Sequence, residues 1–156
     1  MSLTKPMDAE TQLAGFIAKF TPEVAALAEA ILAKLRKRYP AAVQMVYDNY
    51  NFLVIGFGPT ERPSEAIFSL ALFARGATLC FLQAGPKLPD PQKLLRGTGK
   101  RVRNIRLESA AALDRPAVKA LMKQAIHLAK IPFASSPQGK LIIKSISAKQ
   151  RPRRPA

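Results

Sequence analysis

Ala66-Ile67-Phe68-Ser69-Leu70-Ala71-Leu72-Phe73-Ala74-Arg75-Gly76-Ala77-Thr78-Leu79-Cys80-Phe81-Leu82-Gln83-Ala84 is the stretch that decides the fold class. Two short runs rich in aromatic and aliphatic residues meet at Arg75-Gly76, a pair suited to a tight hairpin turn. The same punctuation extends to both sides, between Val43 and Leu107. It predicts strands over residues 43–47, 52–57, 66–74, 77–84 and 101–107, broken at Asp48-Asn49, at Gly58-Pro59 through Pro63, and at Arg75-Gly76. In the strand of residues 101–107, Val102 falls out of phase with Ile105 and Leu107, which predicts a bulge near Arg103-Asn104. Between the last two strands, Gly85-Pro86-Lys87-Leu88-Pro89-Asp90-Pro91 is too rich in proline for regular structure and reads as a surface loop.

Helices flank this region. Leu13, Phe16, Ile17 and Phe20 share one helical face, with Asp8 as a cap. Thr21 and Pro22 then suit the cap and first position of a second helix, whose apolar stripe is Val24, Leu27, Ala28, Ile31, Leu32 and Leu35. After the strands, Asp114 is a candidate cap for a third helix carrying Val118, Leu121, Met122, Ala125, Leu128 and Ala129, ended by Pro132. Together these predict an α+β domain over residues 8–132: an antiparallel sheet of five to six strands packed by N-terminal and C-terminal helices. Residues 133–156 read as a linker, Phe133-Ala134-Ser135-Ser136-Pro137-Gln138-Gly139, then an extra strand within residues 140–147, then a basic tail. With 156 residues, 48% of them hydrophobic, the chain can fill one core.

Charge is the largest departure from an ordinary domain: 25 Lys and Arg face 10 Asp and Glu, a formal net charge of +15. Its distribution is uneven. Residues 1–40 are nearly balanced, residues 133–156 hold six basic side chains and no acid, and residues 87–106 hold seven basic side chains against the single Asp90. The basic turn Lys34, Arg36, Lys37 and Arg38 ends the second helix, where positive charge suits the helix dipole.

Several chemistries are poorly served. One histidine and one cysteine give no metal-ligand set, so no metal or cofactor is expected. His127 reads as an exposed histidine and Cys80 as a buried, inert thiol. No triad or carboxylate pair is marked, so no catalytic residue is assigned and a non-enzymatic role is favoured. Gly56-Phe57-Gly58 and Gly97-Thr98-Gly99-Lys100 both lack the spacing of a phosphate loop. The second could still cradle an anion on backbone N–H groups, backed by Arg101, Arg103 and Arg106. Tyr47-Asp48-Asn49-Tyr50-Asn51 concentrates hydrogen-bonding side chains, either as a polar turn or, facing a cavity beside Arg62 or Arg103, as a small-ligand site. No apolar run is long enough to span a membrane, and the amino end lacks a secretory leader's apolar segment, which predicts a cytoplasmic location.

The order of these segments resembles the YdhG-like family, catalogued as domain of unknown function 1801. The segments are two amino-terminal helices, Tyr47-Asp48-Asn49-Tyr50-Asn51, Ile55-Gly56-Phe57-Gly58-Pro59, the strand pair around Arg75-Gly76, Gly97-Thr98-Gly99-Lys100-Arg101-Val102-Arg103 and a closing helix. Over roughly residues 10–130 the resemblance implies a curved antiparallel sheet with helices on one face. It implies no general activity. One branch looks like frataxin and is associated with iron delivery, which needs a carboxylate-rich surface that this chain lacks. Where family members carry Gly-Met-Pro, this chain has Asp48-Asn49-Tyr50.

Three functions follow as expectations. The first is a non-catalytic binding domain whose basic surface takes an anionic partner, nucleic acid or another polyanion, from Lys87 to Arg106 and along the tail. The second is a sensor or carrier for a small phosphate or carboxylate ligand. Its candidate residues are Tyr47, Asp48, Asn49, Tyr50, Asn51, Arg62, Gly97, Gly99, Lys100, Arg101, Arg103 and Arg106. The third, iron delivery, is opposed by the charge.

Overall fold

The computed structural model describes residues 7–134 and 139–155; residues 135–138 of the expected linker lie outside the described residues. Helix α1 (Ala9–Ile17) starts at Asp8, whose carboxylate accepts from the Thr11 N–H at 2.7 Å, and α2 (Pro22–Arg38) starts at Thr21, whose hydroxyl accepts from the Val24 N–H at 3.2 Å. Strands β1 (Val43–Asp48), β2 (Leu53–Gly58), β3 (Phe68–Phe73), β4 (Gly76–Phe81) and β5 (Arg103–Leu107) follow, then α3 (Pro116–His127) and β6 (Leu141–Ile146). The strand order is β5-β4-β3-β2-β1-β6.

The fold is α+β, with its extra strand in the sheet, but the sheet is mixed. Neighbours from β1 to β5 are antiparallel, whereas β6 runs parallel to β1, with a bulge between Val46 and Tyr47. Between β5 and β6 lies α3, and a strand returning after a helical crossover is free to arrive parallel. At the start of β6, Gly139 sits where a side chain would meet backbone: a Cβ there would lie 2.7 Å from the Pro40 carbonyl oxygen.

Strict alternation sorts the sheet's two faces. Val46, Ile55, Leu70, Leu79 and Ile105 form one row across five strands on the helix-covered face. There they join Leu13, Ile17, Phe20, Ile31, Leu35, Leu121 and Met122 in the main core. The expected bulge near Arg103-Asn104 is absent: β5 begins at Arg103, so Val102 lies before the strand, 41% exposed, and has no phase to satisfy.

Asp114 does not cap α3. Pro116 fixes the helix start one residue further on, after a 3-10 turn (Ala110–Asp114), and Asp114 instead accepts from Lys34 Nζ and, at 2.7 Å, from Arg38 Nη2. Those bonds, the Lys34 hydrogen bond foremost, hold the Asp114 carboxyl below its ordinary range. A depressed folded pKa stabilises the fold fully above the unfolded carboxylate value and loses that stabilisation as pH falls through the folded one. The stability difference between wild type and Asp114→Asn should therefore be constant above about pH 5 and vanish in stronger acid, measured by urea unfolding across a pH series.

Candidate functional site

The basic segment 87–106 folds against the outer edge of β5. A 3-10 turn (Gly85–Lys87) opens it, with the Gly85 N–H donating to the Arg101 carbonyl at 2.8 Å; a Cβ at Gly85 would lie 2.7 Å from that oxygen and 2.8 Å from Arg103 N. Arg96 and Asn104 exchange both backbone hydrogen bonds, at 2.8 and 2.9 Å, which covers part of the exposed edge. The segment's one acid is turned inward: the Asp90 carboxylate accepts from the backbone N–H groups of Leu94 and Leu95 at 2.9 and 2.8 Å. None of the seven cations forms an ion pair with a carboxylate among the described residues, and Lys87, Lys93, Arg96, Lys100, Arg101 and Arg106 are exposed.

These cations spread out rather than converge. Arg103 donates to the carbonyls of Gly99 and Val102, so its guanidinium is wrapped by the Gly97–Gly99 loop that was expected to hold an external anion. Arg106 points to the opposite face, where its guanidinium carbon lies 5.2 Å from the Phe73 ring centroid and its Nη2 donates to the Arg75 carbonyl at 3.0 Å. Three residue steps along the strand, roughly 10 Å, separate the two.

The small-ligand site expected from Tyr47, Asp48, Asn49, Tyr50 and Asn51 with Arg62 or Arg103 is not assembled. Asp48 ends β1, while Arg103 begins β5 four inter-strand steps away, about 19 Å, and at the other end of the sheet. Arg62 also sits at that other end, 4.0 Å from Glu65.

The Tyr47–Asn51 turn instead holds the basic tail. Asp48 is fully buried and accepts from Arg153 Nη2 at 2.9 Å and from Lys19 Nζ at 3.3 Å. Arg153 is itself 6% exposed, donates to the Asn49 carbonyl at 2.6 Å, and lies over the Phe20 ring. The Ser147 N–H donates to the Asp48 carbonyl, the Arg151 N–H to the Tyr50 carbonyl, and Arg154 to the carbonyls of Lys19 and Ala18. The tail has no regular structure, as two prolines dictate, yet it is fastened rather than free. The signal for this pair was in the alternation: Asp48 is in phase with Val46, so it points to the core and needs a buried cation.

No helix covers the second face of the sheet among the described residues. Val54, Ser69, Ala71, Thr78 and Cys80 form the floor of a trough of about 470 Å³, walled by Phe52, Phe73 and Asn104. Through Phe52 and Phe73 it adjoins a hollow of about 390 Å³ lined also by Asn51, Ala74, Arg75, Arg151 and Pro152. Cys80 is half-buried here rather than enclosed, and burial pushes its thiol above the ordinary range despite a hydrogen bond with Ser69. His127 is exposed at the end of α3, and among the described residues no three His, Cys, Asp or Glu side chains come together. Among the described residues, no helix is long and apolar enough to cross a membrane.

No protein-family model, no curated protein and no solved structure matches the chain.

Proposed function

We propose that this protein is a non-catalytic module that binds an extended polyanion, with nucleic acid as the leading candidate, along the β5 edge. One observation carries the reading: among the described residues, seven cations on a single segment have no carboxylate partner, and the segment's one acid is engaged by backbone N–H groups. Cations left unpaired and in water attract a phosphate backbone at little desolvation cost and release its condensed counterions. Their spread suits a ligand whose charge is itself spread out; a compact anion is better served by guanidinium groups that meet at one point. No helix here enters a groove by an evident recognition surface, so the contact is sequence-independent. Iron delivery has little support, since five of the ten acids, Glu10, Asp48, Glu61, Glu65 and Asp114, are already in ion pairs.

Fluorescence anisotropy with labelled DNA duplexes of unrelated sequence tests the proposal. Affinities should agree across sequences, and log K should fall against log salt with a slope near about −5 if six exposed cations each meet one phosphate. Undetectable binding at low salt, or binding indifferent to salt, would overturn it.

A further inference from the structure

We propose a second site, which shares only Arg106 with the basic segment: the helix-free face of the sheet binds a small amphipathic carboxylate, a single apolar body with one anionic end. Side-chain size makes the trough. A sheet face that packs a helix carries large aliphatic residues, as the other face does with Leu53, Ile55, Leu70, Leu72 and Leu79. Here the middle strands carry Ser69, Ala71, Thr78 and Cys80, while Phe52 and Phe73 stand at one end. The register places Val54, Ala71 and Thr78 in one row, and Gly56, Ser69 and Cys80 in the next. The floor is thus three strands wide and two rows deep, roughly 10 by 7 Å, which accommodates a short alkyl chain or a fused ring but no protein helix. Its volume of about 470 Å³ falls within the range of small-molecule sites.

Charge fixes the other end of the ligand. Beyond Phe52 and Phe73 the adjoining hollow is lined by Arg75 and Arg151, and Arg106 lies over the Phe73 ring. Among the described residues, no acid lines either part. Arg106 is held by the Arg75 carbonyl and Arg151 lies over the Tyr50 ring, so both are positioned before a ligand arrives. An apolar trough that opens onto arginines matches a molecule whose hydrocarbon displaces water from the floor and whose carboxylate takes guanidinium N–H groups.

Cys80, the chain's one cysteine, reports occupancy directly. The full chain would be treated with N-ethylmaleimide, a neutral reagent, and modification followed by mass spectrometry with decanoate, decanol or butyrate present. Decanoate at ten times its dissociation constant should slow modification roughly tenfold, whereas butyrate and decanol at the same concentration should protect far less. Arg75 and Arg151 are exposed at a turn and in the tail, so Arg75→Glu with Arg151→Glu should leave the fold intact and weaken decanoate at least about tenfold. Absence of protection by decanoate, equal protection by decanol, or undiminished protection in the double variant would each overturn the proposal.

Discussion

Replacing Asp48 by alanine should lower the unfolding free energy by about 3 kcal/mol, the lower end of what breaking a buried ion pair costs. Asp48 is fully buried and Arg153 nearly so, and removal of the carboxylate leaves a guanidinium with only the Asn49 carbonyl as a hydrogen-bond acceptor. That state is costly because a charge in a low-dielectric interior needs compensation. The loss is held to the lower end because Arg153 lies on a segment without regular structure, which can peel away into water. Urea unfolding would measure the loss, and the melting temperature should drop by roughly 6–12 °C. Peeling leaves a second mark. Trypsin should cut after Lys149 or Arg153, the two basic residues of the tail not followed by proline, in Asp48→Ala under conditions where the native tail resists. Equal stability and an equally resistant tail would show that the Asn49 carbonyl is enough to hold the Arg153 guanidinium. Replacing both partners by apolar residues of similar size, Asp48→Leu with Arg153→Met, should recover most of the stability lost in the single variant.

Reversing Lys93, Lys100 and Arg101 to glutamate should reduce affinity for a DNA duplex by more than about 100-fold at low salt and make the salt slope shallower by about 2.7, or about 0.9 for each phosphate no longer neutralised. These three side chains are exposed, and none donates a hydrogen bond among the described residues, so the triple variant should fold as the wild type does. Net charge alone would also weaken binding, which calls for a matched control. Lys37, Lys119 and Lys123 are exposed on α2 and α3, away from the β5 edge. Their reversal changes the total charge equally, yet should leave the slope nearly unchanged. Equal effects from the two triples would mean that overall charge, and not the β5 edge, draws the polyanion.

Most of the fold was legible because the sheet alternates cleanly and its breaks carry turn chemistry. The turn from β3 to β4 falls one residue earlier than expected, on Ala74-Arg75, with Gly76 already paired to Phe73 in β4, and Thr21-Pro22 starts α2 where its cap chemistry requires. The parallel direction of β6 was not legible, since Leu141-Ile142-Ile143 reads alike in either sense and only the position of α3 decides. The helix cap at Asp114 failed for a local reason, because Pro116 sets the start and Lys34 and Arg38 compete for the carboxylate. At the candidate sites, composition located the unpaired cations but not their directions. Arg103 and Arg106 lie three residues apart, and the pleat with the turn before β5 sends them to opposite faces. The trough escaped notice because small residues such as Ala71 and Thr78 carry no motif; they matter only for what fails to cover them.

The ion pair between Asp48 and Arg153 also sets a clock on synthesis. The partners are separated by 105 residues, so at ordinary elongation rates roughly 5–20 s pass between the emergence of the acid and that of its guanidinium. The parallel strand that shields the edge of β1 is equally late, since β6 begins at Leu141. Through that interval a nascent chain can close the hairpins from β1 to β4 while one border of its sheet stays open, with Lys19 as the only described cation near Asp48. The growing chain is most exposed to mispairing with neighbours on the same message just before residues 141–153 arrive, and their docking marks the end of that exposure.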